Sequence, residues 1–157
     1  MKRLMLAVAA VTLMQAAPVL AQADRTTTGK ITRLANVTVF VRNYDEAIAW
    51  YRDKMGLVKL EDVTYGEKSR WVTMAPSADS PIRIVLSATS EMPTPERSRL
   101  VGQQALWVFH TDDCQKAYER MQSNGVRFTQ PPQAMPYGKQ AMFEDLYGNS
   151  FVLVQAR

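Results

Sequence analysis

The sequence predicts an α+β domain of two βαβββ modules. Their strands are expected to form a curved eight-stranded mixed sheet around a shared cleft, with one helix per module on the outer face. Three observations lead there. A strand-then-helix pattern occurs twice, about 70 residues apart, at Asn36 and again at Leu106. Three strand-like segments follow each helix, and a charged stretch holding Pro93 and Pro95 joins the halves.

Residues 1–23 open with Lys2 and Arg3, run apolar from Leu4 to Met14 and close on Ala21-Gln22-Ala23. The apolar run is too short for the ~20 residues of a membrane span. With a basic start and small residues at the cleavage positions, it reads as a secretory signal peptide cut after Ala23. The exported chain is expected to be periplasmic or secreted, with no membrane attachment. Residues 24–30 are polar without periodicity and read as a flexible leader into a domain over 31–157.

The first module covers about residues 31–88. In NVTVFV (Asn36–Val41), Val37, Val39 and Val41 share one face and Asn36, Thr38 and Phe40 the other. Asn43 can cap the helix that follows, with Glu46 three residues on. Tyr44, Ala47, Ile48 and Tyr51 make its apolar stripe, and Gly56 ends it. LVKLED, RWVTMAP and IRIVLSA read as strands, and Thr89–Gln103 as an exposed connector.

The second module covers about residues 104–157. LWVFHT (Leu106–Thr111) repeats the strand, and Asp113 takes the capping place of Asn43. Cys114, Ala117, Tyr118 and Met121 repeat the stripe, which ends at Gly125. VRFTQ, KQAMFED and SFVLVQ read as its strands. QPPQAMPYGKQ (Gln130–Gln140) is rich in Pro and reads as a loop over one end of the cleft. Tyr137 is then a lid, a stacking residue or an ordinary loop aromatic.

The formal charge of +4 becomes +2 once Lys2 and Arg3 leave with the signal peptide. Basic residues are scattered, with no basic and aromatic run to follow a phosphate backbone, so nucleic acid is not an expected partner. Cys114 is the only cysteine, which rules out an internal disulfide, and its place on a helix stripe makes it a small buried hydrophobe. No Gly-rich phosphate loop, Gly-x-Ser-x-Gly elbow or second histidine is present.

NVTVFVRNYDEAIAWYRDKMGL, with its Trp50-Tyr51 pair before Met55-Gly56, and the terminal DLYGNSFVLVQ together resemble the vicinal oxygen chelate superfamily of glyoxalases, bleomycin resistance proteins and extradiol dioxygenases. The resemblance runs from about Ile31 to Gln155. In the Asp145-x-x-Gly148-Asn149 turn, Asp145 can accept backbone N–H bonds and Gly148 supplies a positive φ. Leu146-Tyr147 stand where the family usually has Pro-Asp.

The resemblance also implies a divalent metal held by His or Glu at four inward strand positions. Here those positions carry Asn36, Val85, Leu106 and Val152, so three of four side chains have no lone pair to offer. No metal site and no cofactor are therefore expected.

His110, the only histidine, alternates onto the face of Leu106 and Val108 and reads as a hydrogen-bonding pocket residue. Arg83, inside an aliphatic strand, would suit a carboxylate or phenolate. The expected ligand-binding set is Asn36, Thr38, Phe40, Arg83, Leu106, Val108, His110, Tyr137 and Val152. The facing of Arg70, Trp71, Tyr137 and Phe143 is open at this level. Acid/base groups in reach are His110, Glu144, Asp145 and Tyr137, but nothing singles out a catalytic residue.

The leading reading is an exported domain that binds a small, partly apolar molecule without a metal. The alternatives are a metal-dependent lyase or ring-cleaving dioxygenase of the glyoxalase type, and a structural domain with a filled cleft. The repeat allows the modules to close within one chain or to exchange across a homodimer.

Overall fold

The computed structural model describes residues 29–67, 69–90, 94–103 and 106–157. The expected signal peptide over 1–23 and most of the expected leader over 24–30 lie outside the described residues. Residues 29–32 carry no helix or strand, and the folded unit is Arg33–Arg157.

Alternation at the start of each half becomes a strand: β1 is Asn36–Val41 and β5 is Trp107–His110. In β1, Val39 and Val41 are buried while Asn36 and Thr38 are exposed, as a half-covered strand requires. The helices start where the caps predict. The Asn43 side chain accepts the Glu46 N–H at 3.0 Å to open α1, Tyr44–Trp50, and a π-turn over Tyr51–Met55 extends it to Gly56 at φ 83°. Asp113 accepts the Lys116 N–H at 3.0 Å to open α3, Cys114–Ser123. Each such cap contributes about 1 kcal/mol.

The remaining strands are β2 (Val58–Tyr65), β3 (Ser69–Ala75), β4 (Arg83–Ala88), β6 (Arg127–Met135), β7 (Gly138–Glu144) and β8 (Ser150–Ala156). They form two four-stranded sheets, ordered β1-β4-β3-β2 and β5-β8-β7-β6, and in each the first strand pairs its neighbour in parallel. The two βαβββ modules are therefore present, each a mixed sheet with its helix.

The exposed connector holds a helix, α2 (Pro95–Leu100), capped by Thr94, with Pro95 in its first turn, where a missing N–H is harmless and a fixed φ helps. One expectation needs correction. QPPQAMPYGKQ is a β-hairpin and not a loop: β6 runs through Pro131 and Pro132 to a turn at Pro136-Tyr137. The prolines are accommodated because β6 is an edge strand with register shifts at Phe128/Gln130 and Gln130/Gln133.

The helix-facing sides of both sheets share one core. Val39, Val72 and Leu86 of the first sheet join Phe143, Phe151 and Leu153 of the second, with Tyr51 of the π-turn between them. The Tyr51 ring meets Phe151 edge-on at 6.3 Å, and Phe151 stacks on Phe143 at 5.4 Å. Cys114 is fully buried there.

The terminal turn ties the modules together. Asp145 Oδ1 accepts the N–H groups of Tyr147 and Asn149 at 2.8 and 2.9 Å, while Gly148 takes φ 85°. Asp145 Oδ2 accepts the Tyr51 hydroxyl at 2.7 Å and the Asn149 amide at 2.8 Å. Burial and then the Asp145 carboxylate hold the Tyr51 phenol well above its usual range, so it stays a donor. Asn149 also donates to the Phe40 carbonyl at 3.0 Å and accepts the Gly102 N–H at 2.8 Å. Tyr147, at the departure from the family pattern, sends its hydroxyl 2.8 Å to Glu46 of α1, and burial followed by Glu46 pushes it up to about 12.

Candidate functional site

Each sheet has one face against the core and one face turned away from it. Pairing assigns the residues of the first sheet's open face: Asn36 lies beside Arg83, Thr38 beside Val85 and Phe40 beside Ser87. Val85 in turn pairs with Thr73, Thr73 with Glu61, and Trp71 with Val63. Val85 and Thr73 are buried at the centre of this face, whereas Trp71 and Val63 remain 39% and 58% exposed.

The polar groups at one end of the face converge on Glu61. Its Oε2 accepts the Thr73 hydroxyl at 3.0 Å and the Trp71 indole N–H at 3.1 Å, and Arg83 Nη1 lies 3.3 Å away. The hydroxyl first, and then the indole, hold the Glu61 carboxyl below its ordinary range, so it is ionised at neutral pH. Beside them Arg33, Asn36, Asp79 and Pro81 border a cavity of about 500 Å³. Arg83 thus faces the site as the alternation predicts, but its charge is already answered within the chain. Glu61 is the residue that sequence reasoning missed, because a register shift between Lys59 and Glu61 breaks the parity of β2.

The connector helix closes the other end. From α2, Arg97 Nη2 donates to the Ser87 hydroxyl at 2.8 Å, and its guanidinium carbon stands 5.5 Å over the Phe40 ring. Its Nε is buried and makes no hydrogen bond. Nothing in the sequence pattern marks Arg97, since it lies outside the strands that alternate.

On the second sheet, pairing places Val152 between Val108 and Met142, and Val154 between His110 and Gln140, all on the open face. Val152 is buried, and Leu106, just before β5, is half exposed. Tyr137 stands in the β6–β7 turn and donates to Gln140 Oε1 at 2.6 Å, which brings its hydroxyl over this same face. Val108 and His110 also border a mostly apolar cavity of about 440 Å³. Its far wall is Pro76, Pro81 and Ile82 of the first module.

The expected site residues therefore fall into two groups. Asn36, Thr38, Phe40 and Arg83 share the first open face. Leu106, Val108, His110, Tyr137 and Val152 belong with the second. Because the opposite sides of both sheets meet in one core, the two open faces look away from each other within a single chain.

Several other candidates are accounted for elsewhere. Arg70 bonds Asp62 through two nitrogens at 3.0 and 2.8 Å and reaches Asp45 at 2.8 Å, and Asp62 is lowered to about 2 by Arg70 first. Phe143 is a core residue. Asp145 spends both oxygens on the turn and on Tyr51, so it has no acid/base role to offer, and Glu144 pairs with Arg127 at 2.6 Å. Ile82 precedes β4 and is 45% exposed.

A divalent ion does not fit the four positions at which the resemblance implies one. Val85 and Val152 are buried aliphatic side chains, Leu106 is aliphatic, and only the Asn36 amide has an oxygen to give. The neighbouring carboxylate, Glu61, is bound to Thr73, Trp71 and Arg83. Among the described residues, no group of three or more His, Cys, Asp or Glu side chains is placed to hold a metal ion.

Comparison with known proteins agrees with this architecture. The family profile described as Glyoxalase/Bleomycin resistance protein/Dioxygenase superfamily matches residues 33–153. An uncharacterized protein of Shewanella frigidimarina is 37% identical over 127 residues, covering 78% of this chain and 92% of its own. Among solved structures, UcmS2 is 31% identical with a TM-score of 0.72, over 81% of this chain and all of its own. TnmS3, described as an antibiotic binding protein from Streptomyces sp. CB03234, is 28% identical with a TM-score of 0.69, over 81% of this chain and 98% of its own.

Proposed function

The chain belongs to the glyoxalase/bleomycin resistance protein/dioxygenase superfamily, and we propose that within it this protein is an exported binding protein. It takes up a small, partly aromatic molecule without a metal, and it works as a homodimer. The observation that carries the reading is the first open face: an apolar and aromatic floor of Phe40, Val85 and Trp71 with a few convergent polar groups. That composition suits a small-molecule site. A solved relative that binds an antibiotic lends support, because it carries the same fold at 28% identity. The signal peptide expected over 1–23 supports an exported location.

What the open faces expose supports the homodimer. Val63, Tyr65 and Trp71 on the first sheet and Leu106 and Val108 at the second are all at least 39% exposed. Large apolar side chains gathered on two outward faces point to a covering partner. A second copy can lay its second sheet over the first sheet of its mate, and two-fold symmetry then repeats the contact and encloses two equivalent sites.

Sedimentation of the exported chain at micromolar concentration should give a dimer. Val108→Asp should yield a folded monomer whose affinity for a small aromatic acid falls at least about tenfold. A wild-type monomer, or a monomeric variant that binds as well as the dimer, would contradict the arrangement.

A further inference from the structure

The two arginines on the first open face differ in one respect. Arg83 lies 3.3 Å from the Glu61 carboxylate. Arg97 has no carboxylate partner among the described residues: the one hydrogen bond of its guanidinium goes to the neutral Ser87 hydroxyl and its ring contact to Phe40. Among the described residues, its Nε is one of two buried side-chain nitrogens or oxygens without a partner, the other being the Trp107 indole N–H. A guanidinium always carries its charge, and a buried donor nitrogen left without an acceptor is unfavourable.

We infer that Arg97 is the anion-recognition residue of this face, and that the ligand is a flat aromatic molecule carrying an ionised oxygen, a carboxylate or a phenolate. This rests on the face being a receptacle, as proposed above. Along β4, Ser87 lies four residues from Arg83, or about 13 Å at the rise of a strand. Rings laid on Phe40 and Val85 would place the anionic oxygen under Arg97 and beside Ser87, while Glu61, across β3 on the edge strand β2, repels a second negative group. The preference for one charge at one end is thus built from two unlike arginines: one neutralised in advance, one left for the ligand.

Calorimetric titration of the full exported chain with naphthalene-2-carboxylate and with naphthalene-2-carboxamide tests this. The wild type should bind the carboxylate about tenfold more tightly than the amide. Arg97→Gln should bring that ratio to about one, and Arg97→Lys should keep part of the preference. A ratio that survives Arg97→Gln would overturn the assignment. Should that variant lose its fold, equal binding of the two compounds to the wild type would overturn it equally, with the receptacle left standing. Binding of neither compound would overturn the receptacle itself.

Discussion

Replacing Asp145 with Ala should lower the stability of the domain by about 3–4 kcal/mol, a larger effect than any single side chain on the open faces should produce. The carboxylate is 6% exposed and accepts four donors: two turn N–H groups, the Asn149 amide and the Tyr51 phenol. Truncation leaves all four without their acceptor, and the Tyr51 hydroxyl is buried among Phe151 and its neighbours where water does not readily replace it. Thermal denaturation should show a midpoint lower by roughly 10–15 °C. Tyr51→Phe, which removes one donor and leaves Asp145 with three, should cost only about 1 kcal/mol. Equal losses in the two variants would mean that the turn does not depend on the carboxylate.

Gly138→Ala should destabilise the β6–β7 hairpin by about 2–4 kcal/mol. Gly138 holds φ 143°, and a Cβ there would run into the carbonyl oxygen of Gln155 on the adjacent strand. The obstacle is backbone, which can yield only by opening the β7–β8 pairing. Gly66→Ala is the matched control: its φ is also positive, at 68°, but nothing lies within 4 Å of the added carbon. That change should cost about 1–2 kcal/mol from backbone conformation alone. Chemical denaturation of the two variants separates the steric contribution from the conformational one. The account of Gly138 would fail if they were equally stable.

The sequence made the repeat legible because burial writes a period of two into strands and near four into helices, and because Asn43 and Asp113 mark both helix starts. The open-face residues of β1, β4 and β5 followed from that alternation. What escaped it depends on contacts between distant positions. Glu61 lies beyond a register shift that no local pattern announces. Arg97 sits on a one-and-a-half-turn helix whose Pro95 looks like a breaker until its position in the first turn is known. Pro131 and Pro132 read as loop because only the sheet order shows that β6 is an edge. Asp145 looked free for proton transfer, since its partner Tyr51 is 94 residues away. Alternation also assigns each residue a face without saying where that face looks, so the outward aim of both sheets emerged only from their common core.

The most direct measurement is the affinity of untagged protein for an aromatic carboxylate before and after exhaustive dialysis against EDTA. If Asn36 and Val85 of one copy and Leu106 and Val152 of its mate enclose a receptacle that needs no ion, the dissociation constant is unchanged by dialysis and by adding back zinc, manganese or iron. Binding that vanishes with the chelator and returns with one equivalent of a divalent ion would show that the pocket is organised by a metal after all.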